Sequence, residues 1–211
     1  TFKSGETVVQ RGEIVSELDI EALREMGLSQ PVVDWKDLAS VAGLIILSLT
    51  FLILYLRRSR GLNRDMRGLT LVTVLFLAFL MLGRLIAYGS PSLAYIFPLA
   101  AYGMTVAVLF GAQPALISSL PLSILVAFQI PNALELTTFY ILTSYFGVMS
   151  LGRARRVTAF FMAGAAITAS GALTAIIYRL PDSATAWTTL ATLAGAALLN
   201  GIASAALSVL L

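Results

Sequence analysis

The chain lacks the residue types that carry most polar chemistry. It contains no histidine and no cysteine. An imidazole base, a histidine metal ligand, a thiolate nucleophile and a disulfide are therefore all excluded. A serine protease that uses a histidine base inside the membrane goes with them. The only lysines are Lys3 and Lys36, and neither lies in an apolar run, so a retinal Schiff base on a membrane-embedded lysine is excluded too. Polar chemistry inside the apolar runs rests on Arg84, Glu135 and Asn200, with Gly201 as a packing position. Arg84 stands about one turn inside the end of its run. It either snorkels to the interface or faces the bundle in an ion pair or ligand contact. Glu135 opens a run and reads as an interfacial group rather than as the partner of Arg84. Asn200 lies within Ala197-x-x-x-Gly201-x-x-x-Ala205, where an amide hydrogen-bonds between helices and small residues let backbones approach. No catalytic, cofactor-binding or metal-binding residue is assigned in this chain. No Asp, Glu or Lys lies near the middle of a run, which weakens ion-coupled transport.

These residues sit in a strongly apolar chain. Hydrophobic residues make up 58% of 211 positions and charged residues only 12%, with a mean hydropathy of +0.89. Soluble domains carry about 25% charged residues. The composition excludes a soluble globule, a disordered chain and a nucleic-acid-binding module. It predicts an all-α membrane protein, since a bilayer-spanning helix needs about 20 apolar residues. Seven runs are legible: 38–56, 69–88, 94–110, 114–130, 136–151, 157–178 and 184–211. The fourth and fifth are short enough to be tilted or partly re-entrant. Pro98, Pro114 and Pro121 mark kinks or starts. Gly164, Thr168 and Ala172 lie four apart in the sixth run, which predicts tight packing against the seventh.

Charge divides the chain unevenly. Residues 1–37 hold four basic and eight acidic residues, a balance of −4. Residues 38–211 hold ten arginines against Asp65, Glu135 and Asp182, a balance of +7. Arg57, Arg58, Arg60, Arg64 and Arg67 follow the first run, and Arg153, Arg155 and Arg156 follow the fifth. In a seven-pass serpentine both groups fall on the side of the C-terminus, and arginine-rich loops stay in the cytoplasm. Trp35, Tyr88, Tyr95, Tyr178 and Trp187 fall at the opposite ends, as an aromatic belt would. Both patterns place the N-terminus outside and the C-terminus inside. Within residues 1–37, Val8 to Val15 reads as a short strand or hairpin arm around Gly12. Ser16 to Gly27 reads as a short helix. Residues 1–37 are thus a small α+β extracytoplasmic remnant, too short to bury a core alone. No signal peptide precedes it, and the abrupt start and end are those of a segment of a longer protein.

The order of parts resembles a known family. Glu6-Thr-Val-Val-Gln-Arg-Gly-Glu-Ile-Val and Asp19-Ile-Glu-Ala-Leu-Arg-Glu-Met-Gly-Leu28 precede the seven runs. Asn63-Arg-Asp-Met-Arg-Gly-Leu opens the second, Tyr95-Ile-Phe-Pro-Leu-Ala-Ala lies in the third, Arg153-Ala-Arg-Arg precedes the sixth, and Asn200-Gly-Ile-Ala-Ser lies in the seventh. The sequence resembles the membrane portion of the bacterial seven-transmembrane HD-domain phosphohydrolases, receptors whose cytoplasmic HD domain hydrolyses cyclic di-AMP. The resemblance implies a sensor and signal-transmission region in the bacterial inner membrane. Its partners would be the lipid bilayer, an unknown extracytoplasmic signal and the HD domain of the same protein, with no nucleic acid. The catalytic residues and the divalent metal of that domain would follow residue 211, so this chain carries no cofactor. The alternative is a small-molecule transporter or channel subunit with no enzyme domain, and a third reading is a structural anchor.

Overall fold

The computed structural model describes residues 35–58, 66–89, 91–130, 132–152, 157–180 and 187–210. The strand and short helix expected within residues 1–37 lie outside them. Eight helices occur among the described residues: α1 Trp35–Arg58, α2 Met66–Gly89, α3 Pro91–Ile96, α4 Leu99–Phe110, α5 Ala112–Ala127, α6 Ala133–Leu151, α7 Val157–Arg179 and α8 Trp187–Leu210. No strand occurs among the described residues. The chain separates into two units, Thr1–Val41 and Ala42–Leu211. Of the first, only its last seven residues are described, and they are helical. The second holds the bundle.

The helices correspond to the seven apolar runs with one correction. The third run is one pass made of two helices, because Pro98 has no N–H to continue α3 and its φ/ψ of −81°/61° is not helical. Phe97 and Pro98 form the break, and α4 starts afresh at Leu99. The link expected at Gly111–Gln113 is shorter than the run pattern suggests. α4 ends at Phe110 and α5 begins at Ala112, so Gly111 alone makes the turn, at φ 96° and ψ 167°. That conformation is open to glycine and costly for residues with a Cβ. Gln129 and Asn132 both adopt left-handed φ, at 62° and 59°, and separate α5 from α6.

Four segments are long and apolar enough to cross a membrane on their own: Arg67–Ala87, Leu93–Phe110, Val157–Arg179 and Trp187–Leu210. Ala39–Tyr55 and Ala112–Ala127 are shorter apolar stretches. α6 is not among either set; its first turn carries Glu135, and the hydroxyls of Thr143 and Ser144 further along are buried.

α4 is the centre. Every residue from Leu99 to Val106 is buried. Around it lie α2, α5, α6 and α8, and α7 packs extensively on both α6 and α8. A ladder of rings locks the interior: Phe76 and Phe79 of α2 meet Tyr102 edge-on or tilted, and Phe139 of α6 lies between Tyr95 and Tyr140. Such pairs add about 0.5–1.5 kcal/mol each beyond area burial. α1 packs through Leu44, Ile45, Leu49, Leu52 and Tyr55. Ile46, Leu47 and Leu54 on the same helix are more than 60% exposed. Large exposed apolar side chains suit a surface solvated by lipid tails, which are as apolar as leucine.

Candidate functional site

The break between α3 and α4 leaves backbone carbonyls without their helical partners. An unsatisfied carbonyl costs several kcal/mol where there is no water to take its place. Side chains of two other helices fill the vacancies. Pro98 cannot donate to Ala94, and the Tyr140 hydroxyl of α6 donates there instead, at 2.6 Å. Leu99 N–H donates to Phe97 O rather than back to Tyr95, at 2.9 Å. Asn200 Nδ2 of α8 serves both carbonyls left at the break, donating to Tyr95 O at 3.1 Å and to Phe97 O at 2.8 Å. Asn200 is fully buried, and its Oδ1 accepts from Ser204 Oγ at 3.2 Å. Ser208 Oγ in turn donates to Ser204 O at 2.7 Å. Asn200 thus joins α8 to the backbone of another span.

At the ends where α6 starts and α7 finishes, Glu135 is buried and Arg179 is partly buried. Arg179 Nη2 lies 3.2 Å from Glu135 Oε2, and Nε donates to Oε1 at 3.4 Å. The paired carboxylate–guanidinium geometry is the kind that survives burial. The Tyr95 side chain, from α3, lies near the pair and packs its ring on Phe139 of α6, the centroids 5.2 Å apart. Nearby Thr138 and Tyr178 hydroxyls, 3.0 Å apart, tie the same two helix ends. Glu135 thus has Arg179 as its partner, at the end of the neighbouring helix.

Arg84 takes neither of its two expected roles. Its Nη1 donates to Leu125 O at 3.2 Å and to Phe128 O at 2.7 Å. Gln129 leaves the helical conformation at this point, so the last carbonyls of α5 lack donors. A guanidinium is the natural cap for a helix C-terminus, where the macrodipole is negative. The expected aromatic belt divides similarly. Trp35 and Trp187 are more than 80% exposed, whereas Tyr95 is buried against the Phe139 ring. Tyr88 lies where its side chain is not described.

Gly201 sits at the tightest contact in the bundle. A Cβ built on it would meet the Thr168 hydroxyl and lie 2.5 Å from Gly164 O. A Cβ on Gly164 would lie 3.0 Å from Gly201 O. Beside this contact an open apolar groove of about 560 Å³ runs between α7 and α8, from Val157 and Phe161 to Val209 and Leu210. Thr168 is the one hydroxyl in its lining, so nothing there orients a polar ligand. Among the described residues no group of three or more Asp or Glu is placed to hold a metal. Elsewhere inside, the buried hydroxyls of Thr105 and Ser144 have no hydrogen-bond partner among the described residues.

A bundle of apolar helices, with its polar groups turned inward onto broken backbone, defines a multi-pass helical membrane protein. The family model described as "7TM receptor with intracellular HD hydrolase" matches residues 35–211, and the chain belongs to that family. Neither the curated proteins nor the solved structures include a match to the chain. The family membership agrees with the resemblance drawn from the order of runs.

Proposed function

We propose that the chain is the transmembrane signal-transmission region of a membrane-bound HD phosphohydrolase resembling cyclic di-AMP phosphodiesterases. The catalytic domain follows residue 211, on the cytoplasmic side of a bacterial inner membrane. The N-terminal segment faces outside, where an extracytoplasmic signal acts. The observation that carries the reading is the family match over residues 35–211, a membrane region whose family is defined by an attached intracellular hydrolase. HD chemistry depends on a divalent metal held by histidine and aspartate, which activates water. The residues present do not fit such a metal, because the chain has no histidine. No catalytic step is therefore assigned to this chain; its part is to hold two bundle arrangements that its two ends bias differently.

The test compares the 211-residue chain with the protein extended through its downstream reading frame. Purified in detergent with manganese, the extended protein hydrolyses cyclic di-AMP and the 211-residue chain does not. Turnover by the short chain, or none by an extended protein that carries an HD domain, refutes the reading. A reading frame that stops at Leu211 favours the transporter or channel alternative. Orientation is checked with single cysteines in intact cells and an impermeant thiol reagent. Cysteines at Ser59 and Gly152 stay shielded, and one at Ser183 is labelled.

A further inference from the structure

The groove between α7 and α8 occupies only half of each helix. Its lining begins at Val157 and Leu210, the first residue of α7 and the last of α8. It stops at Thr168 and Leu198, each the twelfth residue of its helix. At 1.5 Å per residue these stretches are about 16 and 18 Å long. One leaflet of a bilayer holds about 15 Å of hydrocarbon, half of a core about 30 Å thick. Buried Gly164, Gly201 and Ala205 form the floor of the groove, and exposed Phe161, Ile202 and Val209 form its walls. The floor is deep because the two backbones meet there, with no side chain on Gly164 or Gly201 to hold them apart. Its volume of about 560 Å³ is that of a small-molecule site, yet the only hydroxyl in it is Thr168, at the closed end.

We propose that this groove binds one acyl chain of an anionic phospholipid, drawn from the leaflet on the side of Val157 and Leu210. Length selects an acyl chain over a helix. A membrane-spanning helix of a second copy would run through the whole hydrocarbon core, whereas the groove closes at mid-membrane. Its apolar lining suits a hydrocarbon tail, which needs no hydrogen-bond partner. Charge selects the headgroup. Arg153, Arg155 and Arg156 immediately precede Val157 in the chain. At no more than about 3.6 Å per residue, connectivity alone keeps their backbones within about 14 Å of the open end of the groove. No acidic residue occurs between Glu135 and Asp182, or after Asp182. Arginines at the membrane surface attract anionic lipid, and these three stand where the headgroup of a lipid seated in the groove would lie.

The lipid site is independent of the reading of the chain as a transmission region, and its test needs neither the orientation nor a downstream domain. Trp35→Phe with Trp187→Phe removes both tryptophans, and Phe161→Trp then puts a single fluorophore on the groove wall. The full 211-residue chain is reconstituted into vesicles of phosphatidylcholine and phosphatidylglycerol, with brominated acyl chains on one lipid or the other. Quenching at position 161 gives the relative binding of the two lipids there. Phosphatidylglycerol is preferred, by about fivefold for each arginine that engages its headgroup. Met81→Trp in the same background, on the exposed surface of α2, shows no preference. Ala165→Leu with Ala206→Leu fills the groove from its exposed walls and abolishes the preference at position 161. Arg153→Gln, Arg155→Gln and Arg156→Gln together abolish it too. Equal quenching by the two lipids overturns the proposal, because the groove then holds ordinary surrounding lipid. Protection from both lipids overturns it in favour of a second copy of the chain. A preference that survives filling of the groove overturns it as surface charge alone, and one that survives loss of the three arginines overturns the assignment of the headgroup.

Discussion

Replacing Gly201 with alanine adds one methyl group at the point where α7 and α8 come closest. The new Cβ would stand 2.5 Å from Gly164 O and closer still to the Thr168 hydroxyl, with Thr168 N at 3.2 Å. Two of these three atoms belong to the backbone of α7, so a rotamer change does not relieve the clash. The helices must separate by an ångström or so, which loosens every contact along their shared length. Overpacking of this kind costs about 1–3 kcal/mol. A change of 1 kcal/mol moves the melting temperature of a chain this size by about 2–4 °C, so the expected loss is about 2–12 °C. The same helix supplies its own control. Gly195 has nothing within 4 Å of an added Cβ. Gly195→Ala therefore meets no obstacle and gains about 0.5–1 kcal/mol from reduced backbone freedom. The two substitutions are chemically identical, lie six residues apart and have opposite expected signs. Thermal unfolding in detergent, followed by tryptophan fluorescence or size-exclusion chromatography, reads both. If Gly201→Ala is neutral or stabilising, or if both variants move the same way, the close contact between α7 and α8 is wrong.

Three further outcomes follow from the backbone breaks. Tyr140→Phe removes the donor that stands in for the missing N–H of Pro98 and costs about 1–3 kcal/mol; in a Pro98→Ala background, where residue 98 regains its N–H, the same change costs measurably less. Arg84→Leu uncaps the end of α5 and costs about 1.5–3 kcal/mol, as a hydrogen bond from a charged donor does; an unchanged melting temperature shows that Arg84 merely reaches the interface. Asn200→Leu strips Tyr95 O of its donor and Phe97 O of one of its two, and is more damaging than Ser204→Ala, which removes one donor to a side chain that keeps its other bonds; equal losses from the two exclude Asn200 as the support of the break.

An all-helical membrane fold, with helices on the seven apolar runs, was legible because the bilayer imposes one crude rule on sequence, a length of apolar residues between polar ends. The interior was not legible, for reasons specific to this solvent. In water a helix shows its buried face by hydrophobic periodicity. In α4 to α8 both faces are apolar, since one meets protein and the other meets lipid, so the pattern along 99–110 gives no sign that Leu99 to Val106 are buried all round. Pro98 was visible as a kink, but which carbonyls it strands depends on local geometry, and their partners lie 46 and 103–105 residues away. Arg84, Glu135 and Asn200 stood out in the sequence because polar groups are costly at such depth. Their partners were beyond reach: Arg84 and Glu135 each act across more than 40 residues. Tyr95 was placed in a belt by its position near a run's end, where a buried tyrosine and an interfacial one look alike. The polar residues of this bundle thus divide by what they hold. Arg84 completes a helix end, while Tyr140 and Asn200 hold the carbonyls of α3. Stability alone would be served as well by an unbroken apolar helix in place of α3 and α4, with none of these donors needed. The break is held by two side chains, Tyr140 of α6 and Asn200 of α8, each reaching it from another helix.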